Sequence, residues 1–311
     1  MRYGVTLPPF MEWSDPLTVV QMAAEADAAG WDGFFLWDHV TWNPEWGGTP
    51  PIADAWTCLA AAATATSHVL LGTVVTPLAR RRPQILARQV LTVDHLSGGR
   101  ALLGVGLGGD YDYEVFGERL TARGDVLDES LAVLTAMFTG GPVDFDGRYH
   151  HVHCPPMLPA PVNGTIPIWV GGHWPNLAPF ERAARFDGVV PRKADDETGL
   201  VTTDDLRAIR LAIGREDDFA YVASGPTSGP NDVVAVSEWV EVGASWWLEN
   251  MYPFGRRAGR CGTDCGPDHL AFRVGRDLGD GHPTFEVTED GGKCLVRCRV
   301  SPGWRPRTRG A

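Results

Sequence analysis

VLLGTVVTPLARRRPQILARQVLTVDHLSGGRALLGV, residues 69–105, holds a complete strand, helix and strand. Residues 69–75 form a short apolar run rich in β-branched side chains. Pro83 then stands in a first helical turn, Leu86, Val90, Val93 and Leu96 fall on one helical face, Gly98 follows the last turn, and residues 101–105 form a second apolar run. Two strands joined by a helix pair in parallel, and the crossover is right-handed.

The same unit recurs on both sides. Upstream, residues 3–7 and 33–37 read as strands. Between them lies a helix from Pro16, capped by Asp15 and closed by Gly30, with Leu17, Val20, Ala24 and Ala28 on one face. An Ala-rich helix over 53–66 follows. Downstream, Leu127, Leu131, Leu134 and Phe138 mark a helix after strand four. The rhythm breaks over about residues 140–165, where VDFDGRYHHV predicts a hairpin around Asp146-Gly147 and a Pro-rich excursion follows. It resumes with strands at 166–170, 188–190, 219–223 and 244–248. Their helices lie near 179–185, behind Leu206, Ile209 and Ile213, and behind Val233, Val236 and Val240. Eight strands and seven helices closing near residue 250 predict an α/β protein of the (β/α)₈ TIM-barrel class, with an insertion at about 140–165. A doubly wound open sheet is the alternative, and it requires a reversal of strand order.

Residues 1–254 therefore read as one barrel domain, and residues 255–311 as an atypical tail. The tail is Gly-rich and more basic than acidic, lacks a helical stripe, and reads as disordered or as the product of a shifted reading frame. Its pairs Cys261-x3-Cys265 and Cys294-x3-Cys298, with His269 and His282 between, depart from the two-residue gaps of a compact zinc ribbon, so no metal is assigned.

Composition limits the partners. With 27 Lys plus Arg against 39 Asp plus Glu, the net charge of −12 argues against a broad nucleic-acid or anionic-membrane surface. No apolar stretch reaches the roughly 18 residues that span a bilayer, and no secretion signal opens the chain, so a cytoplasmic protein acting on a small molecule is expected.

In such barrels the chemistry lies at the C-terminal strand ends. That rule selects Asp38 and His39 after strand two, Thr76 after strand three, Gly106 to Asp110 after strand four, Gly171, Gly172 and His173 after strand five, and Glu249 and Asn250 after strand eight. Imidazole titrates near neutrality, which makes His39 the proton-transfer candidate. Gly104-x-Gly106-x-x-Gly109 satisfies a dinucleotide fingerprint, but DYDYEVFGE follows where a helix should open, so these glycines read as a ligand-approach loop. Arg80, Arg81 and Arg82 read either as contacts for a ligand's anionic tail or as a solvated helix start. Trp13, Trp37, Trp42 and Trp46 read as a pocket wall or as a self-packed loop.

The segments GVTLPPF, AAEADAAGWDGFFLWDHV, LGTVVTPLARRRPQILARQ, DHLSGGRALLGVGLGG and IPIWVGG resemble, in order and spacing, the bacterial luciferase-like flavin and deazaflavin oxidoreductases. The resemblance implies a reduced isoalloxazine-type ring at the strand C-termini, from FMN or the deazaflavin coenzyme F420. It implies a catalytic role for His39 with Asp38, a non-prolyl cis peptide at Thr73-Val74, and cofactor contacts from Thr76, Gly106, Gly171 and Gly172. A homodimer is also implied. Asn43 and Leu107 stand where sugar-phosphate dehydrogenases of the group carry Trp and Glu, which argues against a glucose 6-phosphate type of substrate.

Three functions follow from the resemblance. One is hydride transfer between a deazaflavin ring and a small organic substrate, with His39 moving the proton. Another is an FMN-dependent monooxygenase fed by a partner flavin reductase. The last is a non-catalytic flavin-binding relative with a defective C-terminus.

Overall fold

A computed structural model describes residues 1–44, 48–194, 198–227, 233–251, 270–272, 284–290 and 293–299. Strand β1 (Arg2–Leu7) leads to α1 (Pro16–Ala29), where the Asp15 carboxylate accepts the Leu17 N–H at 3.1 Å and Gly30, at φ 85°, closes the helix in the left-handed region that favours glycine. Then come β2 (Gly33–Leu36), α2 (Ala55–Ala65), β3 (Leu70–Pro77), α3 (Pro83–Ser97), β4 (Ala101–Gly106), α4 (Asp110–Val115) and α5 (Arg123–Phe138). A hairpin of β5 (Val143–Asp146) and β6 (His151–Cys154) interrupts the alternation at the expected turn. The remaining units are β7 (Ile168–Trp174), α6 (Ala178–Ala183), β8 (Gly188–Lys193), α7 (Thr203–Ile213), β9 (Ala220–Gly225), α8 (Val233–Glu241) and β10 (Trp246–Asn250).

Eight parallel strands close in the order β1-β10-β9-β8-β7-β4-β3-β2, which excludes the open sheet. The helices lie outside, and the hydrophobic core fills the layer between them and the strands. A second cluster fills the barrel interior with Phe35, Leu102, Trp169, Val190, Val222, Trp246 and Leu248, so the barrel is a packed body with its working surface at one end.

Several sequence expectations change. Helix α1 buries Val19, Met22, Ala23 and Ala26, while Leu17 is 76% exposed. Apolar residues surround this helix, so two stripes were available, and contact with the barrel selected the other one. Residues 110–115 are helical from Gly109 onward, so DYDYEV does not separate the glycines from a helix. The tail contains strands β11 (Leu270–Phe272), β12 (Thr284–Asp290) and β13 (Lys293–Arg299), with β13 central, parallel to β11 and antiparallel to β12. Cys294 and Cys298 lie on β13; Cys261, Cys265, His269 and His282 lie outside the described residues.

Two of these glycines differ in how closely their neighbours approach. A Cβ on Gly104 would stand 2.1 Å from the Thr73 carbonyl oxygen, whereas one on Gly109 meets nothing within 4 Å. Gly104→Ala is therefore expected to lose soluble folded protein, while Gly109→Ala keeps its thermal midpoint, as surface changes within about 0.5 kcal/mol do. Soluble yield and thermal melts of the two variants check this.

Candidate active site

At the C-terminal end of the barrel a polar network lies behind the mouth. Asp38, just past β2, is 4% exposed. One carboxylate oxygen accepts from Arg81 Nη2 at 2.5 Å and the other from the Thr76 hydroxyl at 2.7 Å. Thr76 Oγ1 accepts the Trp56 indole N–H at 2.9 Å and lies 3.0 Å from Thr73 Oγ1. Thr73 in turn donates to the Gly104 carbonyl at 3.1 Å. The ends of β2, β3 and β4, helix α2 and the entry to α3 are thereby tied together. With both oxygens engaged, Asp38 fixes the chain that carries His39.

His39 points the other way. Its side chain is 28% exposed and set among aromatic edges, with ring centroids 5.6 Å from Phe10, 5.8 Å from Trp42 and 6.4 Å from Trp37. Its Nδ1 lies 3.9 Å from Asp112 Oδ2, and that same oxygen accepts Arg80 Nη1 at 2.9 Å. Arg80 also binds Glu118 at 2.7 Å and lies over the Tyr113 ring. Desolvation pushes the His39 pKa below its ordinary 6.5; Asp112 and Asp38 pull it upward and Arg80 reinforces the lowering. The lowering favours the neutral imidazole, which can accept a proton.

The expected cofactor residues divide by strand alternation. The non-prolyl cis bond joins Val74 and Val75, one residue beyond the expected Thr73-Val74. Here Val74 and Val75 together oppose Gly104, because Thr73 pairs with Leu103 and Thr76 with Val105. Val74 packs on the barrel-interior cluster. Gly106 and Gly171 flank Val75, since a Cβ at either would come within 2.7 and 2.9 Å of its methyl groups. Thr73 and Thr76 are fully buried in the supporting layer. Gly172 faces outward, where a Cβ would stand 2.2 Å from Pro179 on α6. Val74, Gly106 and Gly171 thus lie on the inward side of their strands, while Asp38, Thr73 and Thr76 form the network behind and Gly172 packs outside.

Arg80 and Arg81 meet neither expectation, and Arg82 meets that of a solvated helix start. Arg80 and Arg81 are consumed by Asp112, Glu118 and Asp38, and Arg82 alone remains on the surface. Trp37 and Trp42 wall the mouth, Trp13 is buried in the core, and Trp46 lies outside the described residues.

Asp112 was missed as a site residue because it comes from a segment read as loop. A second feature is Asn250, at the end of β10 beside Thr6 of β1. It follows Trp246 and Leu248 at the inward alternation, and its buried Nδ2 makes no hydrogen bond among the described residues. A buried amide donor without a partner is costly. At the mouth of a barrel it fits a ligand rich in acceptor atoms, such as the pyrimidine edge of a flavin or deazaflavin ring.

Comparison with known proteins places this arrangement among relatives. The model of the luciferase-like monooxygenase family matches residues 1–262. Over 242 residues the chain is 29% identical to an F420-dependent glucose-6-phosphate dehydrogenase of Mycolicibacterium smegmatis, covering 74% of this chain and 65% of that protein. It is 33% identical over 176 residues to the protein of the same name from Mycolicibacterium fortuitum, covering 53% and 50%. The match thus spans half to two-thirds of these relatives' length. Among solved structures, the coenzyme F420 dependent tetrahydromethanopterin reductase of Methanopyrus kandleri superposes with a TM-score of 0.65 at 16% identity, over 82% of this chain and 94% of that one. The FMN-bound oxygenating constituent of 3,6-diketocamphane monooxygenase from Pseudomonas putida gives 0.60 at 20%, over 73% and 67%. Identities this low establish the shared fold.

Proposed function

The chain belongs to the luciferase-like monooxygenase family, and from that premise we propose that it is a deazaflavin-dependent oxidoreductase acting on a small organic substrate. The observation that carries this reading is His39: a partly exposed, neutral imidazole at the barrel mouth, with Asp112 behind one nitrogen and aromatic walls around it. The curated relatives named as F420-dependent support the choice of cofactor.

When bound, coenzyme F420 supplies hydride exchange. Val74, Val75, Gly106 and Gly171 would lie against it, and the Asn250 amide would donate to it. The chain's own part is proton transfer. Asp112, anchored by Arg80, favours a proton on Nδ1 and leaves Nε2 as the acceptor. In oxidation of an alcohol the hydride would go to the bound coenzyme and the hydroxyl proton to His39 as the carbonyl forms; in reduction the protonated imidazole would return the proton. The rings of Phe10, Trp37 and Trp42 flank the imidazole and suit an apolar substrate body. Arg80, Arg81 and Lys193 are neutralised by carboxylates of the chain, while Arg192 at the end of β8 donates to the Thr198 carbonyl.

Equilibrium titration with F420 and, separately, FMN tests this reading through ring fluorescence. Micromolar binding of F420 with at least about tenfold weaker FMN binding, a gap of 1.4 kcal/mol, is expected. Preference for FMN would replace the proposal with a monooxygenase fed by a flavin reductase, and binding of neither by folded protein would favour an inactive relative.

A further inference from the structure

The insertion hairpin displays a second constellation of ligating side chains, remote in sequence from the barrel mouth. Its register sets Asp144 opposite His153 and Asp146 opposite His151, so the outward positions of both strands form a two-by-two grid of carboxylates and imidazoles. His153 Nδ1 lies 2.5 Å from Asp144 Oδ1 and its Nε2 lies 3.2 Å from Asp146 Oδ1, while His151 Nδ1 lies 3.0 Å from that same Asp146 oxygen. One ligand atom from each of Asp144, Asp146 and His153 falls within 4.8 Å of the others. All of these side chains are exposed.

The scaffold beneath the grid is anchored. Val143 is buried, and Phe145 and Val152 pack against the main core from the inward face. The turn is held to α5, where the Glu129 carboxylate accepts the N–H groups of Arg148, Tyr149 and His150 at 2.7, 2.7 and 3.0 Å. Ser130 Oγ lies 2.8 Å from His150 Nε2, which turns that third histidine away from the grid. The ligating face is presented by a backbone already fixed, so a cation need order only side chains.

We propose that this hairpin face is a divalent transition-metal site, with Asp144, Asp146 and His153 as ligands and His151 supplying a second imidazole. Imidazole together with carboxylate selects zinc and its first-row neighbours over magnesium or calcium, which prefer all-oxygen sets. Metal–ligand bonds of about 2.1 Å in a tetrahedron separate ligand atoms by roughly 3.4 Å, so the cluster contracts by rotation of exposed side chains alone. The competing arrangement is the one described above, in which His153 is clasped by two carboxylates. Binding breaks that clasp: one imidazole nitrogen turns to the metal and any proton it carries passes to the buffer.

The test is calorimetric titration of the full chain, stripped with chelator, with Zn²⁺, in a background carrying Cys261→Ser, Cys265→Ser, Cys294→Ser and Cys298→Ser so that the tail thiolates do not contribute. One equivalent is expected to bind, with affinity falling at least about tenfold in His153→Gln and in Asp144→Asn. Both positions are exposed, so unchanged metal-free melts check that the variants fold. Co²⁺ is expected to give a ligand-field spectrum without a thiolate charge-transfer band. Absence of saturable Zn²⁺ binding in the four-serine background, or equal affinity in His153→Gln, overturns the proposal.

Discussion

Replacing His39 with Asn is expected to slow turnover by roughly 10²- to 10⁴-fold, the usual worth of a positioned acid–base group, while F420 binds within a few-fold of the native affinity. The separation follows from the geometry. His39 stands among Phe10, Trp37 and Trp42 with Asp112 behind it, whereas Val74, Gly106, Gly171 and Asn250 offer the contacts assigned to the cofactor. Stopped-flow reduction and coenzyme titration of the same variant separate the two readouts. Equal losses in affinity and turnover would make His39 a cofactor ligand and sink its proton-transfer role. The pH profile supplies an independent check. Desolvation holds the His39 pKa below 6.5, so the acid limb of kcat/KM for substrate oxidation should fall below that pH and vanish in His39→Asn. The same shift affects stability: the unfolded chain takes up a proton near pH 6.5 that the folded imidazole resists, so acidification through that region favours unfolding.

The barrel was legible because its signals are local and repeated. Asp15, Pro16 and Gly30 bracket α1, and Leu127, Leu131, Leu134 and Phe138 line the buried face of α5 as their spacing requires. Periodicity could not orient α1, where apolar residues occur all round and the barrel decides which stripe is covered. The rule that chemistry sits at strand C-termini selects His39, Gly106, Gly171 and Asn250 as candidates, and alternation along a strand separates Gly171 from Gly172. Partners distant in sequence were invisible. Nothing near Arg80 and Arg81 announces that Asp112, Glu118 and Asp38 will consume them, because those pairs join residues 32, 38 and 43 positions apart. Helix α4 was missed because it is short and opens on aspartates that alternate with tyrosines.

Arg81→Met is expected to destabilise the fold by about 3 kcal/mol. The cause is the charge left behind. Asp38 is 2% exposed at its side chain and Arg81 is 20% exposed, so deleting the guanidinium strands a carboxylate whose remaining partner is the Thr76 hydroxyl. Asp38→Asn alone should cost less, because it removes the buried charge while leaving an acceptor for Thr76 and an arginine that reaches solvent. Combining the two should therefore restore stability relative to Arg81→Met, with a coupling of at least about 1 kcal/mol, measured as urea midpoints at constant m. Strict additivity would mean that the pair contributes nothing specific. The functional consequence follows from chain continuity: Asp38 precedes His39 and ties that peptide to Thr76 on β3 and to the entry of α3. Asp38→Asn should accordingly reduce turnover far less than His39→Asn does, and leave the acid limb of the pH profile in place, as expected of a residue that positions the base without carrying the proton.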